Sequence, residues 1–233
     1  NITGALKIPE KIKVIEKGAF EYCVFDGELI LPHELLGIQS NAFYNCKFRG
    51  NLQLPESIII IGEGAFADNN FSGNLKLPSS LTVIGSTAFS NCKRLTGIVE
   101  IPEGITTIPQ NLFFNCSQLE GVVIPKSVEN IGASAFYHCY QLNSITCHAL
   151  TPPTLASTAF DGVAKDNFTL EVPEQSVTRY QTQPGWSDFR RVSAHHEFSI
   201  SRPLLRTLNA SYSKKYTLRA PANQSWSIQN KPD

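Results

Sequence analysis

Within eleven residues, His138, Cys139, Cys147 and His148 supply two imidazole nitrogens and two thiol sulfurs, the ligand atoms of a tetrahedral zinc site. A second pair, His195-His196, offers two more imidazoles, and Cys23, Cys46, Cys92 and Cys116 add further thiols. Whether any of these converge depends on where the chain turns each side chain. A strong internal period governs that.

Phe20, Phe43, Phe66, Phe89, Phe113, Phe136 and Phe160 are separated by 23, 23, 23, 24, 23 and 24 residues. A fixed period in this range means that each unit buries its apolar face only by stacking on its neighbours, as in a solenoid. Aligned on the phenylalanine, a unit reads G-x-[LIV]-x-[LIV]-P-x-x-[ILV]-x-x-I-G-x-x-A-F-x-N-C. Pairs such as Leu29/Leu31, Leu52/Leu54 and Val122/Ile124 alternate with residues of mixed character, as in a short strand with one buried face. These strands are expected to form one parallel sheet. Pro32, Pro55, Pro78, Pro102 and Pro125 follow and end each strand, because proline has no N–H for the ladder. Gly4, Gly27, Gly50, Gly73 and Gly97 precede the strands, where a sharp turn favours positive φ.

Two further apolar columns, typified by Ile58 and Ile61, line the opposite wall, and the Ala-Phe pair fills the corner. Asn45, Asp68, Asn91 and Asn115 follow the phenylalanine by two residues, which predicts a helical turn ending in a left-handed residue. Cys23, Cys46, Cys92, Cys116 and Cys139 then form a column, with Asn69 in the third slot. Coils about 4.8 Å apart would allow a disulfide. Three consecutive cysteines cannot all pair, however, so the column reads as small, buried, reduced thiols. The same alternation turns Cys139 and Cys147 inward and His138 and His148 outward, so no zinc site is expected, and His195-His196 reads as a linker or strand start. The repeat supplies no nucleophile elbow and no phosphate loop. Neither a catalytic residue nor a cofactor is predicted.

Composition agrees with a binding role. Twenty basic residues balance twenty acidic ones, so no net field favours nucleic acid or an anionic membrane. The charged share, 17%, lies below the roughly 25% of soluble domains, and Asn, Ser and aromatics make up the difference. No apolar run approaches the roughly 18 residues of a membrane span. The chain opens at Asn1 partway through a unit, as though an upstream portion were missing, and the sequons at Asn1, Asn70, Asn115, Asn167, Asn209 and Asn223 are incidental to its surface.

The string Leu77-Pro78, Leu81, Ile84-Gly85, Ala88-Phe89, Cys92 resembles the BspA-like leucine-rich repeats of bacterial surface and secreted proteins. The resemblance implies a right-handed, β-rich solenoid of short parallel strands and short helical turns over residues 1–194. A terminal cap is expected over 143–193, with Trp186 and Phe189 as covering residues and a short helix beginning near Ser176. Residues 195–233 lack the period. Phe198-Ser-Ile200, Tyr216-Thr-Leu218 and Trp226-Ser-Ile228 resemble part of a BACON-like β-sandwich, an antiparallel module associated with carbohydrate or mucin binding.

Stacking places the same position of every unit in a row, so partners are sought on outward rows. The strand face offers Asn51, Gln53, Asn74, Lys76, Glu100, Val123 and Thr146. On the opposite wall Leu36, Ile59, Ile60 and Val83 would form an exposed apolar patch indicating self-association or a protein partner. Tyr22, Tyr44, Tyr137 and Tyr140 are expected to be exposed interface rings. The expectation is a non-enzymatic adhesion or binding protein, secreted or on the cell surface and anchored there by lipid through an absent N-terminal segment, recognising a host or matrix protein or glycan. The alternative is a spacer roughly 35 to 40 Å long at one strand spacing per coil, presenting the C-terminal module.

Overall fold

A computed structural model describes residues 4–195 and the backbone of two further strands, Tyr216–Arg219 and Ser227–Asn230. The chain divides into units at 1–195 and 196–233. In the second, the two strands pair antiparallel, Leu218 opposite Ile228. The remainder of the segment expected to hold a BACON-like module, including Phe198 and Trp226, lies outside the described residues.

The first unit is a parallel-strand solenoid. On one wall, strands Ile98–Glu100, Gly121–Ile124, Ser144–Cys147, Leu170–Pro173 and Val192–His195 form a continuous five-stranded sheet. Leu6–Lys7 and Leu29–Ile30 form a separate pair. The single sheet expected from the sequence is therefore interrupted over the third and fourth coils, although Leu52, Leu75 and Leu77 stay buried there. Part of the reason is a change of register. Ser72 pairs with Arg94, an offset of 22 residues, whereas the equivalent Leu75 and Val99 stand 24 apart, and Gly97 at φ 72° takes up the difference. Gly27 departs from its column, because its φ is not positive. It is needed for close approach instead, since an added Cβ would lie 2.5 Å from the Ala5 nitrogen.

The opposite wall is also hydrogen-bonded. Val14–Ile15, Gly37–Ile38, Ile60–Ile61 and Val83–Ile84 form one parallel sheet, and Thr107–Ile108, Asn130–Ile131 and Thr154–Leu155 another. Each two-residue strand turns one side chain in and one out. Ile15, Ile38, Ile61, Ile84, Ile108 and Ile131 are all buried.

The corner between the walls consists of tight turns. Ala42 N–H donates to the Gln39 carbonyl at 3.2 Å and Tyr44 N–H to Asn41 at 3.1 Å, so each bond spans three residues. The left-handed residues expected at Asn45, Asp68, Asn91 and Asn115 are present, with φ of 55–59°. A second set, Asn41, Gly64, Thr87, Asn111 and Ser134, lies four residues earlier. The alternate N–H groups of the corner all donate in one sense, to the next coil. Asn41, Phe43 and Asn45 donate to the carbonyls of Glu63, Ala65 and Ala67, and the pattern recurs from Gly18 to His138.

This geometry stacks the periodic phenylalanines as a column. Seven rings from Phe20 to Phe160 lie 5.1–5.7 Å apart with interplanar angles of 3–20°. Each fully buried ring contributes about 1.5–3 kcal/mol through burial. A second stack, Phe25–Phe48–Phe71, flanks the early coils, and Leu95, Leu119 and Leu142 follow it in the later ones.

The thiol column does more than fill space. The thiols of Cys46, Cys92, Cys116 and Cys139 donate to the carbonyls of Phe20, Phe66, Phe89 and Phe113 at 2.8–3.3 Å. Asn69 has the same role, its Nδ2 donating to the Phe43 carbonyl at 2.7 Å while its Oδ1 accepts from Phe48 N–H at 3.1 Å. All six cysteines are reduced.

After the last phenylalanine a helix, Val177–Thr182, brings an aromatic cluster over the column. Trp186 and Phe189 lie 6.0 and 5.6 Å from Phe160. Their polar neighbours are satisfied by backbone. Trp186 Nε1 donates to Pro153 at 2.7 Å, Tyr180 hydroxyl to Ala149 at 2.8 Å and Ser176 Oγ to Leu150 at 2.7 Å.

Candidate functional site

On the strand face, Asn51, Gln53, Asn74, Lys76 and Glu100 are exposed, whereas Val123 and Thr146 are half-buried. Glu100, Val123, Thr146 and Glu171 stand in register on adjacent strands, and Thr146 Oγ1 donates to Glu171 at 3.4 Å. Those close neighbours account for the partial burial of Thr146 and Val123. Lys76 pairs with Glu56 at 2.7 Å, and this hydrogen bond holds the Glu56 carboxyl below its usual range. Both groups are largely solvated, so the pair contributes little to stability. Asn51, Gln53 and Lys76 lie outside the strands and Asn74 pairs with Thr96 in a separate two-stranded ladder, so only Glu100, Val123 and Thr146 share one continuous sheet.

On the opposite wall, Leu36, Ile59, Ile60 and Val83 are exposed by 44, 43, 46 and 49%. Val14, exposed as well, joins them, since Val14, Gly37, Ile60 and Val83 are successive partners in one register. The alternation of short strands could have pointed to Val14. Further along the same row stand Thr107, Asn130 and Thr154, so the apolar stretch is confined to the first four coils.

The tyrosines do not behave alike. Tyr22 and Tyr140 are exposed, but Tyr44 and Tyr137 are half-buried, contrary to the sequence expectation. Stacking of coils explains this. Tyr44 meets Tyr22 edge-on at 5.3 Å, and Tyr137 lies parallel to Phe114 at 5.2 Å. The nearby Asp68 carboxylate raises the Tyr44 pKa.

The histidines and cysteines of the opening constellation go to different places. Cys139 donates to Phe113 inside the core, and Cys147 accepts from the Tyr180 hydroxyl at 3.1 Å. Burial raises the Cys139 and Cys147 thiols to about 12 and about 11. His138 packs at a tilt against Tyr137, with ring centres 3.9 Å apart, while His148 meets His195 edge-on at 4.7 Å. Among the described residues, no three His, Cys, Asp or Glu side chains are grouped to hold a metal. The contact between His148 and His195, 47 residues apart, had no signal in the sequence, because it depends on how the closing strands follow Cys147.

Comparison with known proteins gives the wider setting. The profile of the BspA type leucine-rich repeat region matches six copies over residues 2–120 and 38–166. A leucine-rich repeat protein from Bacteroides ovatus is similar in structure, with a TM-score of 0.62 and 21% identity over 82% of this chain and 51% of that one. A leucine-rich repeat protein from Eubacterium ventriosum gives 0.41 at 20% identity over 70% and 43%, and a leucine rich cell surface protein from Faecalibacterium prausnitzii 0.35 at 19% over 88% and 61%. The chain thus spans about half the length of the Bacteroides protein. No curated protein matches. No helix among the described residues is long and apolar enough to cross a membrane. With the repeat profile covering most of its length and the phenylalanine, thiol and strand columns in place, the chain belongs to the BspA type leucine-rich repeat family.

Proposed function

We propose that this is a non-enzymatic binding protein, secreted or held at the cell surface, that recognises a host or matrix protein through the strand face. The observation that carries this reading is the division of labour in each coil. The periodic residues are committed to the core, leaving the outward row Glu100, Val123, Thr146 and Glu171 in register on a rigid five-stranded sheet. Such a row is free to vary without cost to stacking. Its mixed polar character suits a protein interface better than a nucleic acid or a membrane, in line with the balanced net charge. In this reading residues 1–194 form the binding unit and 195–233 a separate segment.

The test is an array of matrix proteins and glycans probed with the chain and with a triple variant, Lys76→Glu, Glu100→Lys and Thr146→Arg. Loss of a matrix-protein signal by roughly tenfold or more, equivalent to about 1.4 kcal/mol, is expected. Unchanged binding by the triple variant overturns the strand-face assignment. Loss only on removing residues 195–233 would favour the spacer role.

A further inference from the structure

Four rings cluster at the corner in the fifth and sixth coils. Phe114 and Tyr137 are parallel, His138 lies tilted against both at 6.4 and 3.9 Å, and His138 and Tyr140 stack at 5.0 Å. The repeat does not require them. The positions equivalent to Phe114 and Tyr137 hold Ala67 and Ser90 in the two preceding coils, and Tyr140 replaces Asn70, Lys93 and Ser117. His138 occupies the left-handed slot, at φ 58°, where the four preceding coils carry Asn or Asp. In the following coil the slot is Gly162, and a Cβ there would come within 2.9 Å of His138 Cδ2. A glycine thus leaves room for the imidazole.

Gly162 is also part of a cleft. Asp161, Gly162 and Ala164 form one side of an open depression of about 590 Å³, and the closing segment supplies the rest. Two ion pairs hold its charged side chains in place, Lys165 to Asp188 at 3.1 Å and Arg190 to Asp166 at 3.0 Å. Asn167 adds an exposed amide. His138 joins the two features, since its ring lies against Tyr140 and Gly162, and its backbone N–H donates to the Asp161 carbonyl at 2.9 Å.

We propose that the ring cluster and the adjoining cleft, which meet where His138 packs on Gly162, form one carbohydrate site for a neutral hexose oligosaccharide. The exposed Tyr140 ring, 54% accessible, takes the C–H face of a pyranose on its π-surface. The carboxylates, guanidinium and amide of the cleft meet the hydroxyls, planar groups able to bond two neighbouring oxygens at once. The volume falls within the range of small-ligand pockets, roughly 300–1,000 Å³. A peptide is disfavoured, because Asp161, Lys165, Asp166, Asn167, Asp188 and Arg190 provide no deep apolar pocket for a side-chain anchor. Charges of both signs within the cleft disfavour a strongly anionic glycan. The site uses none of the strand-face residues and stands independently of that reading.

The intact chain is applied to a printed panel of neutral hexose and N-acetylhexosamine oligosaccharides, and bound members are titrated by calorimetry. Tyr140→Ala is expected to weaken binding about tenfold, Tyr140→Phe to preserve it, and Asn167→Ala to weaken it less than Tyr140→Ala. The strand-face triple variant should bind the sugar as the parent does. Failure to bind any neutral oligosaccharide overturns the proposal, as does binding by Tyr140→Ala and Asn167→Ala equal to that of the parent, which would place sugar recognition outside the ring cluster and cleft. Both substituted side chains are exposed, so circular dichroism should show an unchanged fold.

Discussion

The early coils, residues 4–96, and the later ones, 98–195, are built from one repeat and yet are stabilised differently. In the early half the strand-wall ladder lapses, a second aromatic stack lies beside the first, and the outward row of the opposite wall is apolar. In the later half the strand wall is continuous, leucines replace the second stack, and the same outward row reads Thr107, Asn130, Thr154. The difference shows how loosely the core pattern constrains everything outside it. The Ala-Phe corner is common to both halves, and it tolerates either arrangement of backbone pairing because the turn hydrogen bonds and ring column already fix the coil spacing.

Alkaline pH should separate the halves most strongly. Burial raises Cys46, Cys92 and Cys139 to about 12 and Cys147 to about 11, with Cys116 raised well above its ordinary value. In the unfolded chain these thiols ionise near roughly 8.5. A folded pKa above the unfolded one gives stability that is complete below about pH 8.5 and is lost as pH climbs toward the folded values. The later half carries three of these thiols, Cys116, Cys139 and Cys147, against Cys46 and Cys92 in the early half, where Asn69 interrupts the column. Hydrogen exchange at pH 10 should therefore show the later coils opening first. Opening of the early coils first would break the comparison.

Trp186→Ala comes next, with an expected loss of about 3–5 kcal/mol in urea unfolding. It removes a fully buried ring against Phe160, Tyr180 and Phe189 and leaves the Pro153 carbonyl without its donor. Exchange protection should fall across 98–195 before it falls in the early coils. In the thiol column, Cys92→Ala should cost about 1 kcal/mol by removing one of the two donors to the Phe66 carbonyl, the other being Asn69 Nδ2 at 3.0 Å, and Cys92→Ser should recover part of it by restoring a donor. Equal losses for the two would show that packing, not the hydrogen bond, maintains the column. The smallest effect is expected from Ile60→Thr, which gives the early wall the character of the later one. Because Ile60 is 46% exposed, its thermal midpoint should correspond to a change within about 0.5 kcal/mol.

The sequence was most legible where residues recur. Phe89, Ile84 and Leu81 repeat in every coil because each must match its neighbours above and below, so their spacing encodes burial directly. The left-handed residue at Asn91 was legible for the same reason, since the residue type reports the backbone angle. Its partner at Thr87 was hidden, because Asn41, Gly64, Thr87, Asn111 and Ser134 span four residue types. Outward contacts were harder still. The partial burial of Tyr137 depends on Phe114 standing in the coil below, a non-periodic neighbour that becomes visible only once the coils are stacked. In the sequence the thiols resemble apolar filler, and the Phe carbonyls to which they donate cannot be inferred from composition.

The one-way hydrogen bonding of the corner gives that edge of the solenoid a polarity. At each junction from Gly18 to His138, backbone N–H groups point toward the later coil and the accepting carbonyls point back. Along the corner the peptide dipoles therefore add, with the positive end toward the C-terminal side. The opposite wall runs the other way, since the N–H groups of Gln39, Gly62 and Gly85 donate back to the carbonyls of Ile15, Ile38 and Ile61. The two rows of dipoles oppose one another across the core, so the solenoid is polarised edge against edge rather than end to end.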